Sequence, residues 1–210
     1  MCGPPGILLL LVAVTTQSSA STIALPPADT LGSLPLEQVI ASRRSGRDFS
    51  PAPLTLEQVG QLLWAAQGIT EENGFRRAAP SPRHCYPLDI YALGPQGLFR
   101  YLPEGHRVEV VDERDLRPQV ADALGKDPVR DGALVILVAA KESFKADFGT
   151  RWERYTALEA GHVAQNVLLQ ATALGLAAVP VGTVDDGRVR DLLGSKDAEV
   201  MYTIAVGWPA

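Results

Sequence analysis

Hydrophobic positions alternate between two periods along the chain, and that alternation divides it into elements. Leu36, Val39 and Ile40 follow Pro35 at helical spacing and predict a short helix ending at Arg43-Arg44. A capping-box pattern, Thr55-x-x-Gln58, opens a second helix whose apolar side carries Leu56, Val59, Leu62, Leu63 and Ala66, and Gly68 closes it. Residues 73–82 hold two prolines and read as a loop. Residues 88–93 alternate as a strand, 94–97 turn, and 98–102 pair back as a hairpin. A small helix is expected over 115–124, stopped by Gly125. The unbroken apolar run 133–140 is too short to span a bilayer and fits a central strand buried on both faces.

The longest helical pattern covers about 151–174, with Gly175 as its left-handed stop. Leu158, Gly161, Val163, Val167, Leu168, Ala171 and Leu174 leave it little polar surface, which places it inside the protein or between subunits. A short strand over 177–182, a helix over 188–193 and a last strand over 202–207 complete the series. A hairpin first, a long helix later and no βαβ repetition predict an α+β fold: a central, mainly antiparallel sheet flanked by helices.

The first 28 residues carry no Lys, Arg, Asp, Glu or His. Residues 6–14 are apolar, and Ser18-x-Ala20 has the small-x-small character of a signal-peptidase site. The segment 1–20 therefore reads as a signal peptide that exports the protein to the periplasm. Only the terminal amine supplies its positive end, so a misassigned start or a buried N-terminal extension, in a cytoplasmic protein, is the competing reading. Residues 21–34 read as an extended tether, and 35–210 as the functional domain.

Composition narrows the function. Nineteen basic against twenty-four acidic residues give a net charge of -5, which argues against nucleic-acid binding because no global cationic field would hold phosphates. Two cysteines, Cys2 and Cys85, build neither a disulfide framework nor a four-ligand zinc site, and no metal is expected. G-x-S-x-G, H-E-x-x-H, P-loop and G-x-G-x-x-G patterns are absent. The chemistry must come from elsewhere.

Three constellations remain. Arg43-Arg44-Ser45-Gly46-Arg47 sets three guanidiniums and a hydroxyl within five residues, suited either to an anion or to a solvated helix end. Pro80-Ser81-Pro82 combines rigid turns with a hydroxyl that could face a ligand. Glu159 and His162, one turn apart on the long helix, read either as a proton relay or as satisfied core or interface groups.

Five ordered motifs carry a resemblance: Arg43-Arg44-Ser45-Gly46-Arg47-Asp48-Phe49, the Leu62 to Gly68 stretch L-L-W-A-A-Q-G, Arg77-Ala78-Ala79-Pro80-Ser81, Tyr86-Pro87-Leu88-Asp89-Ile90-Tyr91, and Arg154-Tyr155-x3-Glu159-x-Gly161-His162-x2-Gln165-Asn166. Together, from about Leu34 to Trp208, they resemble the nitroreductase superfamily, in particular its SagB-type, thiazole/oxazole dehydrogenase-like branch. The resemblance implies a homodimer that binds FMN at the subunit interface. It also implies ping-pong transfer of reducing equivalents between a reductant such as NAD(P)H and a small electron-poor or conjugated organic acceptor. By the same resemblance Arg43, Arg44, Ser45 and Arg47 hold the FMN phosphate, ribityl chain and pyrimidine edge. Pro80 and Ser81 of the partner line the ring, and Pro180-Val181-Gly182 bring backbone amides near its N5. The flavin performs the hydride chemistry, with Arg47 as an electrostatic stabiliser. The long helix forms the dimer core, where Gly161 permits close approach.

Two departures from the branch matter. Azoline-oxidising relatives carry a Lys-Tyr pair just before the long helix, where Asp147-Phe148 stand here, so heterocycle dehydrogenation is not expected. The sequence closes on Trp208-Pro209-Ala210 without the basic tail of many nitroreductases, which shifts phosphate binding onto the Arg cluster, with Arg76, Arg77 or Arg83 as reserves. A flavin-binding protein, or a noncatalytic partner in a peptide-modifying complex, is the alternative function.

Overall fold

The computed structural model describes residues 21–182 and 187–210, and the signal-peptide reading of 1–20 lies outside them. Its elements are β1 (Thr22–Ala24), α1 (Leu36–Ser42), α2 (Leu56–Gln67), β2 (Leu88–Gly94), β3 (Gly97–Leu102), β4 (Arg107–Asp112), α3 (Arg117–Leu124), α4 (Asp127–Asp131), β5 (Leu134–Lys141), α5 (Lys145–Phe148), α6 (Trp152–Ala173), β6 (Ala177–Val181), α7 (Arg188–Leu192) and β7 (Ala198–Gly207). The strands form one antiparallel sheet in the order β1-β4-β3-β2-β5-β7-β6.

The apolar run of β5 takes the centre, where both faces of a strand are covered. Period two then divides its side chains between two cores. Leu134, Ile136, Val138 and Ala140 join Leu62 and Leu63 of α2 and Val163 and Val167 of α6 on one face. Val135, Leu137 and Ala139 join Val120 of α3, Val129 of α4 and Val189 of α7 on the other. β2 divides in the same way, with Leu88, Ile90 and Ala92 on the first face and Tyr91 and Leu93 on the second. No helix among the described residues is long and apolar enough to cross a membrane.

Several local signals act as expected. Thr55 Oγ1 accepts from the Gln58 amide at 3.3 Å and Gln58 Oε1 accepts from the Thr55 amide at 2.9 Å, closing the capping box. Thr55→Ala should lower stability by about 1 kcal/mol, read as a shifted denaturation midpoint with an unchanged slope. Gly125 and Gly175 take left-handed backbone (φ 64° and 72°) after α3 and α6.

Other features differ from the expectation. Thr22–Ala24, within the presumed tether, pairs with β4, and Leu25 behind it is buried, so this stretch packs as part of the fold. β4 itself joins the β2–β3 hairpin to make three strands. α6 is buried on one side only, through Trp152, Thr156, Glu159, Ala160, Val163, Ala164, Val167, Leu168 and Ala171. Its other side, with Ala157, Leu158, Gly161, His162 and Gln165, is exposed in the single chain.

Candidate active site

The basic segment is laid along the outer edge of β6. α1 ends with Arg43 as its C-cap, and the chain then runs beside the strand, where Ser45 bridges Ala178 in parallel and the Gly46 amide donates to the Ala178 carbonyl at 3.1 Å. Gly46 makes the approach feasible, because a Cβ there would meet Ala177 Cβ at 2.8 Å. Beyond it, the Ser50 amide donates to the Trp208 carbonyl at 2.9 Å, and the Phe49 ring lies where a Cβ on Gly207 would come within 2.9 Å. Two separate strands thus clamp the segment, so its position is fixed by backbone contacts.

The structure therefore sets Arg43, Arg44, Ser45 and Arg47 beside the start of β6, at Ala177 and Ala178, and the chain then runs towards Gly207 and Trp208; Pro180, Val181 and Gly182 lie further along the same strand. Arg43 is half-buried, Arg44 and Arg47 are exposed, and among the described residues no carboxylate lies within ion-pair distance of any of the three. Arg44 Nη1 turns back to the carbonyls of Ala41 (3.0 Å) and Arg43 (2.8 Å), which leaves Arg43 and Arg47 as the freer cations. Of the three residues at the end of β6, only Val181 and Gly182 own an amide hydrogen. Pro180 has none and suits an edge position.

The Pro80–Ser81 loop lies elsewhere in the same chain. Ser81 bonds to Glu159, whereas α1 borders a groove with Asn166, Leu169, Gln170 and Ala173. At 1.5 Å per residue, Glu159 and Gln170 are roughly 16 Å apart along α6. Within one chain, then, Ser81 meets α6 near its middle, at Glu159, whereas α1 borders its C-terminal half.

Around Ser81 the loop is firmly held. Its Oγ donates to Glu159 Oε2 at 2.6 Å and accepts from the Tyr86 amide at 2.9 Å. The Arg77 amide donates to the Tyr86 hydroxyl at 3.1 Å, and the Arg77 guanidinium sits 4.4 Å above the Tyr86 ring. Arg83, His84 and Tyr86 all have positive φ (55°, 56° and 49°), a conformation that costs L-residues about 1 kcal/mol or more each and persists only where surrounding contacts fix it.

Sequence reasoning missed the polar chain that does this. Gln67 donates from Nε2 to Glu159 Oε1 at 3.4 Å and accepts at Oε1 from Arg77 Nη1 at 2.8 Å, with Glu104 a further 3.9 Å from Arg77 Nη2. Gln67 and Glu159 are each 1% exposed. Burial holds the Glu159 carboxyl above the ordinary glutamate range, against the opposing pull of its bonds to Ser81 and Gln67 and of the charges on Arg77 and Lys141. The Glu159–His162 relay does not form: Glu159 faces the core and His162 the exposed side of α6, so the core reading holds for the carboxyl alone. Arg77 is likewise committed to Gln67 and Tyr86 rather than to the basic cluster, and Arg76 pairs with Glu71 at 3.7 Å. Phe148 is buried and stacked on Trp152, with ring centroids 6.1 Å apart.

An α+β protein with a one-sided long helix and a basic segment clamped to the sheet edge is the class that these observations define. The profile of the nitroreductase family matches residues 40–208. A relative from Methanocaldococcus jannaschii, named "Putative nitroreductase MJ1384", is 39% identical over 170 residues, covering 77% of this chain and 85% of that protein. A crystal structure from Ralstonia eutropha JMP134, also named a putative nitroreductase, superposes with a TM-score of 0.82 at 31% identity, over 90% of each chain. The NADPH:FMN oxidoreductase of Vibrio harveyi, solved with NAD+, shares the fold at a TM-score of 0.61 and 21% identity, over 83% of this chain and 68% of that one. The chain belongs to the nitroreductase family. It is, by that membership, an oxidoreductase.

Proposed function

We propose that the protein is an FMN-dependent oxidoreductase of the SagB-type branch. It works as a homodimer and passes reducing equivalents by a ping-pong mechanism from NAD(P)H, or an equivalent donor, to a small electron-poor or conjugated organic acceptor. The observation that carries the reading is the set of guanidiniums without carboxylate partners among the described residues, on a segment held by backbone contacts beside the β6 edge. Such a donor set fits a phosphorylated, electron-accepting ligand, because guanidiniums carried on a held backbone can turn to an anion without breaking an ion pair.

Bound FMN would supply the hydride chemistry, and the chain's own residues would supply position and field. Arg43 and Ser45 suit the phosphate and ribityl chain. Arg47, two residues beyond Ser45, suits the pyrimidine side, where a guanidinium stabilises developing negative charge. The resemblance assigns the stretch Pro180-Val181-Gly182, at the end of β6, to the ring N5. Because Ser81 meets α6 at Glu159 whereas α1 borders its C-terminal half, a second copy crossing the exposed face in the antiparallel sense would supply Pro80 and Ser81 to the first copy's basic segment. Ala157 and Gly161 keep that face low enough for helices to meet.

Azoline oxidation is not part of the proposal. Asp147 and Phe148 offer neither an amine nor a phenol, and the Phe148 ring is packed under Trp152 and Tyr155. Purified protein, reconstituted with FMN and freed of excess, should show a bound-flavin spectrum that NAD(P)H bleaches under anaerobic conditions. A colourless protein that takes up no FMN would refute the cofactor. Retained FMN that NAD(P)H leaves oxidised would refute the donor alone.

A further inference from the structure

A serine hydroxyl offers one hydrogen and two lone pairs. Ser81 uses its hydrogen on Glu159 Oε2 and one lone pair on the Tyr86 amide. While Glu159 is ionised it has no proton to give, so Ser81 has only a lone pair left for a ligand. Protonation of Glu159 from solvent reverses the bond. The new Oε2–H donates to Ser81 Oγ, the Tyr86 amide keeps its lone pair, and the Ser81 hydrogen is released towards a ligand.

The neighbouring groups decide where that proton goes. Arg77 can only donate, which fixes the Gln67 carbonyl towards it and the Gln67 amide hydrogens towards Glu159 Oε1. Oε1 therefore faces a donor, and Oε2, facing a reversible hydroxyl, is the oxygen that accepts a proton. We propose that Glu159 sets the hydrogen-bonding polarity of Ser81, making its hydroxyl an acceptor towards bound flavin when the carboxyl is ionised and a donor when it is neutral. Glu159 is thus a positioning residue, acting through Ser81, and the inference rests on the flavin site proposed above.

The surroundings favour the protonated carboxyl more than water does. Burial raises the carboxyl's affinity for its proton. The charged groups facing it are Arg77 from the loop after α2 and Lys141 from the end of β5, while α2 contributes the neutral Gln67. Glu104, Tyr86 and Tyr101 act on Arg77 in turn. Since the folded-state value lies above the unfolded one, the native chain holds a proton that the unfolded chain has lost. Glu159's contribution to stability is therefore full at low pH and declines as pH rises through its folded-state value.

The test is FMN affinity, by fluorescence quenching, followed as pH rises from the ordinary carboxylate range. Wild type should show a one-proton step of about tenfold, the size expected when one ligand hydrogen bond changes sign. In Glu159→Gln the amide nitrogen, held towards Ser81 because Gln67 faces the carbonyl, mimics the neutral acid. That variant should sit at the wild-type low-pH affinity throughout. Ser81→Ala should lose the step while leaving Glu159 in place, and this variant decides the matter should Glu159→Gln fail to fold.

A step that survives in either variant overturns the proposal. The flavin-free protein gives a second readout: an infrared carboxylic-acid band that grows as pH falls, is missing in Glu159→Gln and moves in Ser81→Ala. A band that is present and unmoved in Ser81→Ala also overturns the coupling. Absence of FMN binding at every pH refutes the flavin site, and with it the ligand side of this proposal. The band then reports on the Glu159–Ser81 pair by itself.

Discussion

Replacing Arg43 and Arg47 together by alanine should weaken FMN binding by about two to four orders of magnitude, with little change in folding. A hydrogen bond to a charged group contributes about 1.5–3 kcal/mol, and each factor of ten in affinity corresponds to about 1.4 kcal/mol. Both side chains leave the fold without a carboxylate partner among the described residues, and the local backbone is held instead by bonds to β6 and to Trp208. Removing them should leave the circular dichroism spectrum and the thermal midpoint close to wild type. Arg44→Ala is the comparison, because Arg44 already donates to Ala41 and Arg43. It should cost FMN affinity less than either of the other two single substitutions. If titration of the flavin-free double variant gives a dissociation constant within about threefold of wild type, less than one such bond is worth, the basic segment is not the phosphate site.

The second large effect concerns assembly. Gly161 lies on the exposed side of α6, and a Cβ added there meets nothing within 4 Å in the single chain. Gly161→Arg should therefore be tolerated by the protomer, and a mid-helix Gly replaced by Arg gains up to about 0.8 kcal/mol of helix propensity. A helix–helix contact across the same face has no room for a guanidinium. The variant should elute as a monomer in light-scattering chromatography, unfold no earlier than a wild-type monomer, and lose most of its FMN, because Pro80 and Ser81 would no longer reach the other copy's basic segment. A variant that remains dimeric and yellow would show that the copies meet elsewhere.

The sequence discloses the fold where a single residue type enforces a backbone state or a run of one character leaves no alternative. The run ending in Ala140 admits only a doubly covered strand, Thr55 and Gln58 can satisfy each other only at a helix start, and Gly175 is where the longest helix stops. β1 and β4 are less legible. Thr22–Ala24 is three residues long and exposed, and becomes a strand only because β4 lies beside it. Arg107–Asp112 mixes charge with valine, and its role follows from the neighbouring hairpin.

The site divides in the same manner. Arg43 to Arg47 are adjacent in sequence and show as a cluster, and β6 could be read as their neighbour only through the resemblance. Gln67, Arg77, Ser81 and Glu159 are spread over 92 residues, and each taken singly is an ordinary polar side chain. The available signal was a glutamine and a glutamate at positions whose helical neighbours, Leu63 with Ala66 and Ala160 with Val163, are apolar. A polar group at such a position needs an internal partner, and the three-dimensional fold supplies it.

Pro180 bears on how the protein behaves at high concentration. An outermost strand normally offers a ladder of free amides on which a foreign strand can grow, and such growth would seal whatever lies next to it. The ring of Pro180 removes one rung from β6, and the Ser45 bridge at Ala178 occupies another, two residues away. The border that carries the basic segment is thus a poor template for sheet extension. The same short stretch of backbone thus both anchors the basic segment and blunts the edge against aggregation.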